Sequence, residues 1–321
     1  MKWDVLFRID ADSRIGIGHL RRCRALMEGF RKVGLNRFAF VSRTPETFRE
    51  WLDPKHAVFS LRAKTFQEEI PQIKKLFSRQ GARFTIIDRY GISSTYLRQL
   101  KGFIPVLLSL NDDVVLKDYP VDGIINYNIH AGRLKYPSST RARLFLGPQF
   151  VPIRQEFQIA KKAGKDNDGL KRVFVALGGY AKAAHLEKVR RALEQTGLPL
   201  EVAWAAGRTQ DVASKMVGAD MAISAGGVTT YELAYLGIPA LFVTLAHHQE
   251  GITHEWQRRG AASDLGPFQQ LSSEALAQQI GRLLTDEGRR KRMSQAGQST
   301  VDGRGAQRLA YEIIKQLGGG D

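Results

Sequence analysis

A single cysteine, Cys23, in 321 residues excludes an intrachain disulfide and any centre built from clustered cysteines. A reducing, cytoplasmic setting is the matching expectation. Long apolar runs are missing too: none reaches the roughly 20 residues that a bilayer crossing needs. The start, MKWDVLFRIDADSR, places acidic residues where a signal peptide would be uninterruptedly apolar. Basic residues such as Arg21, Arg22, Arg24, Arg31 and Lys32 are scattered and not interleaved with aromatics along a helix or groove, so no nucleic-acid partner is expected. A metal motif is lacking as well. His247 and His248 are neighbours that point apart in extended chain, and His254-Glu255 is followed by Arg258 where H-E-x-x-H needs histidine.

What is present is length, positive charge and strand–helix alternation. A chain of 321 residues favours two domains. The net charge of +16 sits mainly in residues 1–154, which hold 27 Lys/Arg and 14 Asp/Glu, against 21 and 18 in residues 155–321. A positive first half attracts an anionic substrate, and weak association with an anionic membrane surface stays open on charge alone. VLFRID, RFAFVS, FTIID, IPVLLSL and DGIINYN read as strands, with helical spacing from Leu20 and over Phe66, Ile70, Ile73 and Phe77. RVFVALGG, EVAWAAG, DMAISAGG and PALFVTL continue the pattern after a polar break, KKAGKDNDG. The expectation is a soluble α/β enzyme with mostly parallel sheets, divided into 1–154 and 155–321. Each half carries a glycine-containing loop, with a cleft for a nucleotide-linked substrate expected between them, and the last helix is free to cap either half.

In the first half, Gly16 and Gly18 let the backbone bend round a ligand ahead of a helix. The third glycine of a dinucleotide fingerprint is absent, so no such cofactor is expected. His19 sits at the loop-to-helix transition, where a neutral imidazole can take a proton from water if a carboxylate orients its other nitrogen. Asp10, Asp12 and Asp88 are candidates for that carboxylate, and a simple helix cap is the alternative. Arg14 and Arg21 suit phosphate or a polar sugar group. Tyr90, after an apolar strand, suits a sugar ring or the core edge. Asn126 and Asn128 share one side of a strand; their amides fit hydroxyl or acetamido groups, or close a turn. Asp112 and Asp113 are adjacent, which does not flank a glycosidic bond as a carboxylate pair must.

In the second half, Gly178-Gly179 and Gly226-Gly227 each follow an apolar strand, the second just before a helix near Thr229. Such loops present backbone amides to a diphosphate. Ser224 and Thr230 offer hydroxyls, and Glu232 suits ribose hydroxyls or favourable charge placement near a helix start. His248 and Gln249 follow the PALFVTLA strand and suit diphosphate or sugar.

Taken together, IDADSRIGIGHLRRC, IIDRY, NYN, GPQFVPIRQEF, FVALGG and SAGGVTTYELAYLGIPALFVTLAHHQ span nearly the whole chain. In that order they resemble the UDP-2,4-diacetamido-2,4,6-trideoxy-beta-L-altropyranose hydrolases of pseudaminic acid biosynthesis and the related spore-coat polysaccharide proteins. The resemblance implies two Rossmann-like domains in a GT-B glycosyltransferase-like arrangement. It also implies UDP on the C-terminal half and a UDP-linked amino sugar as substrate. In it, His19 matches the water-activating histidine, and Gly178, Gly179, Ser224, Gly226, Gly227, Thr230 and Glu232 match the nucleotide side. The pattern departs at Tyr180-Ala181, where a polar pair is usual, and at His247-His248, where an acidic-amide pair precedes Gln249. Inverting glycosyl transfer in surface polysaccharide synthesis and nonenzymatic nucleotide-sugar binding are the alternatives.

Overall fold

The computed structural model describes residues 1–11, 17–163, 171–205 and 212–319. The expectations placed on Asp12, Arg14 and Gly16 fall outside that set. The chain divides into two compact units, Met1–Arg154 with Arg304–Asp321, and Gln155–Gly303.

The first unit holds seven parallel strands: β1 (Trp3–Ile9), β2 (Phe38–Ser42), β3 (Ala57–Ser60), β4 (Ala82–Asp88), β5 (Leu107–Leu110), β6 (Gly123–Asn126) and β7 (Arg143–Leu146). Their order is β3-β2-β1-β4-β5-β6-β7. The strands anticipated from the sequence are here, joined by β3 and β7, which are short. In β7 only Phe145 is fully buried, so its apolar signal is weak. The helices are α1 (Gly18–Arg31), α2 (Pro45–Arg49), α3 (Phe66–Gln80) and α4 (Ser94–Lys101). Ser93 and Thr65 cap α4 and α3 by accepting from backbone amides three residues on. The chain runs outward from β1 to β3, then restarts at β4 on the other side. The carboxyl ends of β1 and β4 are therefore a topological switch point, the place where open α/β sheets bind ligands.

The second unit repeats the logic with β8 (Lys171–Ala176), β9 (Leu200–Trp204), β10 (Met221–Ala225), β11 (Ala240–Thr244) and β12 (Ala262–Pro267), ordered β12-β11-β10-β8-β9. Its switch point lies between β8 and β10. Around the sheet stand α5 (Gln155–Ala163), α6 (Ala183–Gln195), α7 (Val212–Val217), α8 (Thr229–Leu236), α9 (Glu250–Arg258), α10 (Ser273–Thr285) and α11 (Glu287–Thr300). The basic run at 289–293 lies on α11, where Arg289 donates to Ser263 and Arg290 to the carbonyl of Leu283. The last helix, α12 (Gly305–Leu317), belongs to the first unit and packs on α1. The approach is so close that a Cβ on Gly29 would stand 2.3 Å from the backbone of Ala306. No helix among the described residues is long and apolar enough to cross a membrane.

Candidate functional site

In the first unit the strand pleat decides which acids meet His19. Ile9 of β1 pairs with Asp88 of β4, so Asp88 projects on the α1 side of the sheet. Arg8 and Asp10 project to the opposite face. There they form a buried ionic cluster: Asp10 accepts from Arg8 at 2.8 Å and from Ser42 at 2.9 Å, pairs with Arg89, and Arg8 also binds Glu69 of α3. Asp10 is thus not the partner of His19. Asp88 is: its Oδ1 lies 2.6 Å from His19 Nδ1.

His19 occupies the first turn of α1, and one helical turn on, Arg22 shares its face. Arg22 grips Asp88 with Nε at 2.5 Å, and with its other end donates to both oxygens of Asp112 at 2.9 and 3.0 Å. Tyr90 donates its hydroxyl to Asp112 at 3.0 Å and sets its ring edge-on to His19, centroids 4.8 Å apart. The result is a continuous chain, His19–Asp88–Arg22–Asp112–Tyr90. Burial pushes the Asp88 carboxyl up, but the Arg22 charge, then His19 and hydrogen bonds from both, outweigh it and hold the group at about 2. Burial likewise opposes the Arg22 charge, while Asp112 and Asp88 keep it cationic.

His19 Nδ1 faces both an acceptor, ionised Asp88 at 2.6 Å, and a donor, Arg22 Nη2 at 2.9 Å; the shorter contact is with the acceptor, which puts the proton on Nδ1. The basic lone pair is then on Nε2, which has no hydrogen-bond partner among the described residues. That is the geometry of an oriented general base. Cys23 lies beside the same carboxylate, with Sγ 3.7 Å from Asp88 Oδ2. Burial and the neighbouring negative charge push its thiol up, so it stays protonated.

Other candidates in this unit are placed differently. Arg21 lies over the ring of Trp51, 5.2 Å from its centroid, one position off the face that carries His19 and Arg22. Asn126 donates to Tyr136 at 3.2 Å and accepts from the amide of Asn128 at 3.1 Å. Asn128 donates to the backbone carbonyl of Asp112 at 2.8 Å. Asn128 thus ties its loop to the one that carries Asp112, and Asn126 braces the loop after β6. Gly18 opens α1 with space where a Cβ would stand. Arg22 and Asp112 are the residues that reading the sequence missed. The i, i+3 spacing from His19 was the available signal for Arg22; Asp112 stood out only as half of an adjacent acidic pair, which does not point to Arg22.

The second unit is built from backbone. Gly178 follows β8 with φ +71, a conformation that glycine alone adopts readily. Gly226 follows β10, where a Cβ would meet the carbonyl of Gln249 at 2.9 Å. At Gly179 and Gly227 a Cβ would meet nothing within 4 Å. The hydroxyls expected to reach a nucleotide are engaged within the unit instead. Ser224 is fully buried and donates to the carbonyl of Ala176 at 2.9 Å, tying β10 to β8. Thr230 is also fully buried; it donates to Gly227 O at 2.8 Å and accepts from Trp256 Nε1 at 3.0 Å, fixing the glycine loop to α8 and α9. Glu232 is buried in the first turn of α8. Gln249 accepts from the amide of Leu245 at 2.9 Å and closes the turn after β11. His248, next to it, is exposed and its ring lies 5.4 Å from that of Tyr180.

No family model matches the chain. It is 24% identical to the spore coat polysaccharide biosynthesis protein SpsG of Bacillus subtilis over 96% of both chains. It is also 24% identical to the pseudaminic acid cytidylyltransferase and UDP-2,4-diacetamido-2,4,6-trideoxy-beta-L-altropyranose hydrolase of Helicobacter pylori, covering 84% of this chain and 48% of that one. With the corresponding hydrolase of Campylobacter jejuni it shares 28% identity over 54% of this chain and 60% of that one. Among solved structures, MurG of Acinetobacter baumannii superposes with a TM-score of 0.71 at 15% identity, covering 98% of this chain and 99% of that one. The calicheamicin glycosyltransferase CalG4 does so with a TM-score of 0.64 at 13% identity, covering 99% of each. The fold is that of the GT-B glycosyltransferases, with two Rossmann-like α/β units.

Proposed function

We propose that the chain, an enzyme of nucleotide-sugar metabolism similar to the UDP-diacetamido-altropyranose hydrolases and the spore-coat polysaccharide protein, hydrolyses a UDP-linked diacetamido trideoxy sugar. The observation that carries this reading is the 2.6 Å contact between His19 Nδ1 and Asp88, which leaves Nε2 as the base. In the reaction, Nε2 takes a proton from water as the water oxygen bonds to the anomeric carbon. The bond from that carbon to the diphosphate oxygen breaks, and its electron pair leaves with UDP. Attack opposite the leaving group inverts the anomeric centre in one displacement.

Asp88 keeps His19 in the productive tautomer and stabilises the imidazolium as it forms. Arg22 holds Asp88 ionised and in place. Tyr90, exposed beside the histidine ring, is positioned to meet the sugar. The second unit holds UDP in this reading, with the open backbone at Gly178-Gly179 and the turn of Gly226-Gly227 that leads into α8 receiving the diphosphate as charge develops on it. Glu232 and His248 remain candidates for nucleotide and sugar contacts.

The test is incubation of wild type and His19→Ala with a panel of UDP-linked diacetamido trideoxy sugars, assayed separately for UDP, free sugar and its anomeric configuration. UDP together with inverted free sugar is expected from wild type and not from the variant. UDP released only when a sugar acceptor is added would assign transfer instead. Wild-type turnover by a folded His19→Ala protein would remove the histidine from the mechanism.

A further inference from the structure

The two places where the sequence departs from the hydrolase pattern, Tyr180 and His248, touch one another. Tyr180 follows the glycine pair after β8, and His248 lies in the turn after β11. Between those strands runs β10, since the sheet order there is β11-β10-β8. Their loops thus start about 10 Å apart, two strand spacings. The ring centroids are 5.4 Å apart with a tilt of 59°. The pair therefore bridges the carboxyl end of β10, from which Gly226-Gly227 leads into α8.

Burial gives the pair no structural reason to exist. Tyr180 is 59% exposed and His248 is exposed. Neither side chain's polar atoms have a hydrogen-bond partner among the described residues, which leaves a phenol O–H and an imidazole N–H for a ligand. The backbone beside them is open, with nothing within 4 Å of a Cβ at Gly178, Gly179 or Gly227. The two sides also differ in freedom. His248 is followed by Gln249, buried and bonded to the amide of Leu245 at 2.9 Å. Tyr180 is carried by two successive glycines, the residues with the widest backbone freedom.

We propose that Tyr180 and His248 form an aromatic clasp across the end of β10 that retains a nucleoside diphosphate over Gly226-Gly227 and sets its rate of release. His248 is the fixed jaw and Tyr180 the moving one. The phenol and imidazole donate to phosphate oxygens, and the rings cover the ligand. This rests on the reading of the second unit as the one that holds the nucleotide.

The experiment measures UDP affinity by calorimetry and UDP release by stopped flow. The proteins are wild type, Tyr180→Ala, His248→Ala, the double variant and Tyr180→Phe. Each alanine change is expected to speed release about three- to tenfold, as for loss of one aromatic contact. The double variant should be little faster than the faster single one, because either change opens the clasp. Tyr180→Phe, which keeps the ring but loses the phenol donor, should release UDP at a rate between those of wild type and Tyr180→Ala. Thermal midpoints should not move, since both residues are exposed. Unchanged release in both single variants, or effects that multiply independently in the double, would overturn the clasp while UDP binding by wild type upheld the nucleotide reading. Failure of wild type to bind UDP would overturn both.

Discussion

The carboxyl ends of the two sheets are built from opposite materials. At the switch point of the first unit stand polar side chains, a histidine and three ions, His19, Asp88, Arg22 and Asp112, each held by the next. At the switch point of the second stand glycines, and the nearby hydroxyls of Ser224 and Thr230 are turned inward to hold the loops. On the proposed reading, the same fold, used twice, gives one place that moves a proton and another that presents backbone to an anion. A proton-transfer site needs fixed charges to set a tautomer. An anion site needs room and N–H groups, which side chains would only obstruct.

That contrast is breakable by substitutions that separate turnover from binding. The largest effect is expected for His19→Ala, with kcat for the UDP-sugar down about a thousandfold and UDP affinity unchanged. A matching loss of UDP affinity would mean that the two units do not divide the work. Asp88→Asn comes next, at about a hundredfold in kcat, since the amide can no longer impose the tautomer as a carboxylate does.

The same variant carries an acid signature. The native Asp88 carboxyl sits at about 2 against an ordinary 3.8, so the folded state binds its proton less tightly than the unfolded chain does. Its contribution to stability is complete above the ordinary value and is lost as pH falls toward 2. The gap in thermal midpoint between wild type and Asp88→Asn should therefore narrow from pH 5 down to pH 2; a constant gap would contradict the ionic role.

In the second unit, Gly227→Val should weaken UDP binding about tenfold with little change in thermal midpoint, because the fold leaves that position open while an approaching diphosphate does not. Smallest, and confined to stability, is Thr230→Val. It removes the acceptor for Trp256 and the donor to Gly227 at a cost of about 1–2 kcal/mol, read in denaturant unfolding.

Much of this was legible in the chain. Strand and helix alternation is a local property, and β1, β4, β8, β10 and β11 announce themselves as apolar runs because they are buried on both faces. The edge strands β3, β7 and β12 do not, since edge positions leave many of their residues partly exposed. His19 and the glycine pairs were legible because their local setting, a loop entering a helix or leaving a strand, is itself the signal. Arg21 and Arg22 are neighbours of the same type, and only the helix face separates the one over Trp51 from the one bound to Asp88.

Local patterns along the chain are enough for two α/β units, the histidine at the start of α1 and the glycines after β8 and β10. Which carboxylate orients that histidine was decided by the tertiary structure alone. Asp10 is nearer in sequence, but the pleat sends it to the other face of the sheet, while register brings Asp88, 69 residues away, to 2.6 Å. The meeting of Tyr180 with His248 was decided in the same way, by a strand order in which β10 lies between β8 and β11. Pairing across a sheet depends on which strands become neighbours, and that is settled by the packing of the whole unit, not by any local run of residues.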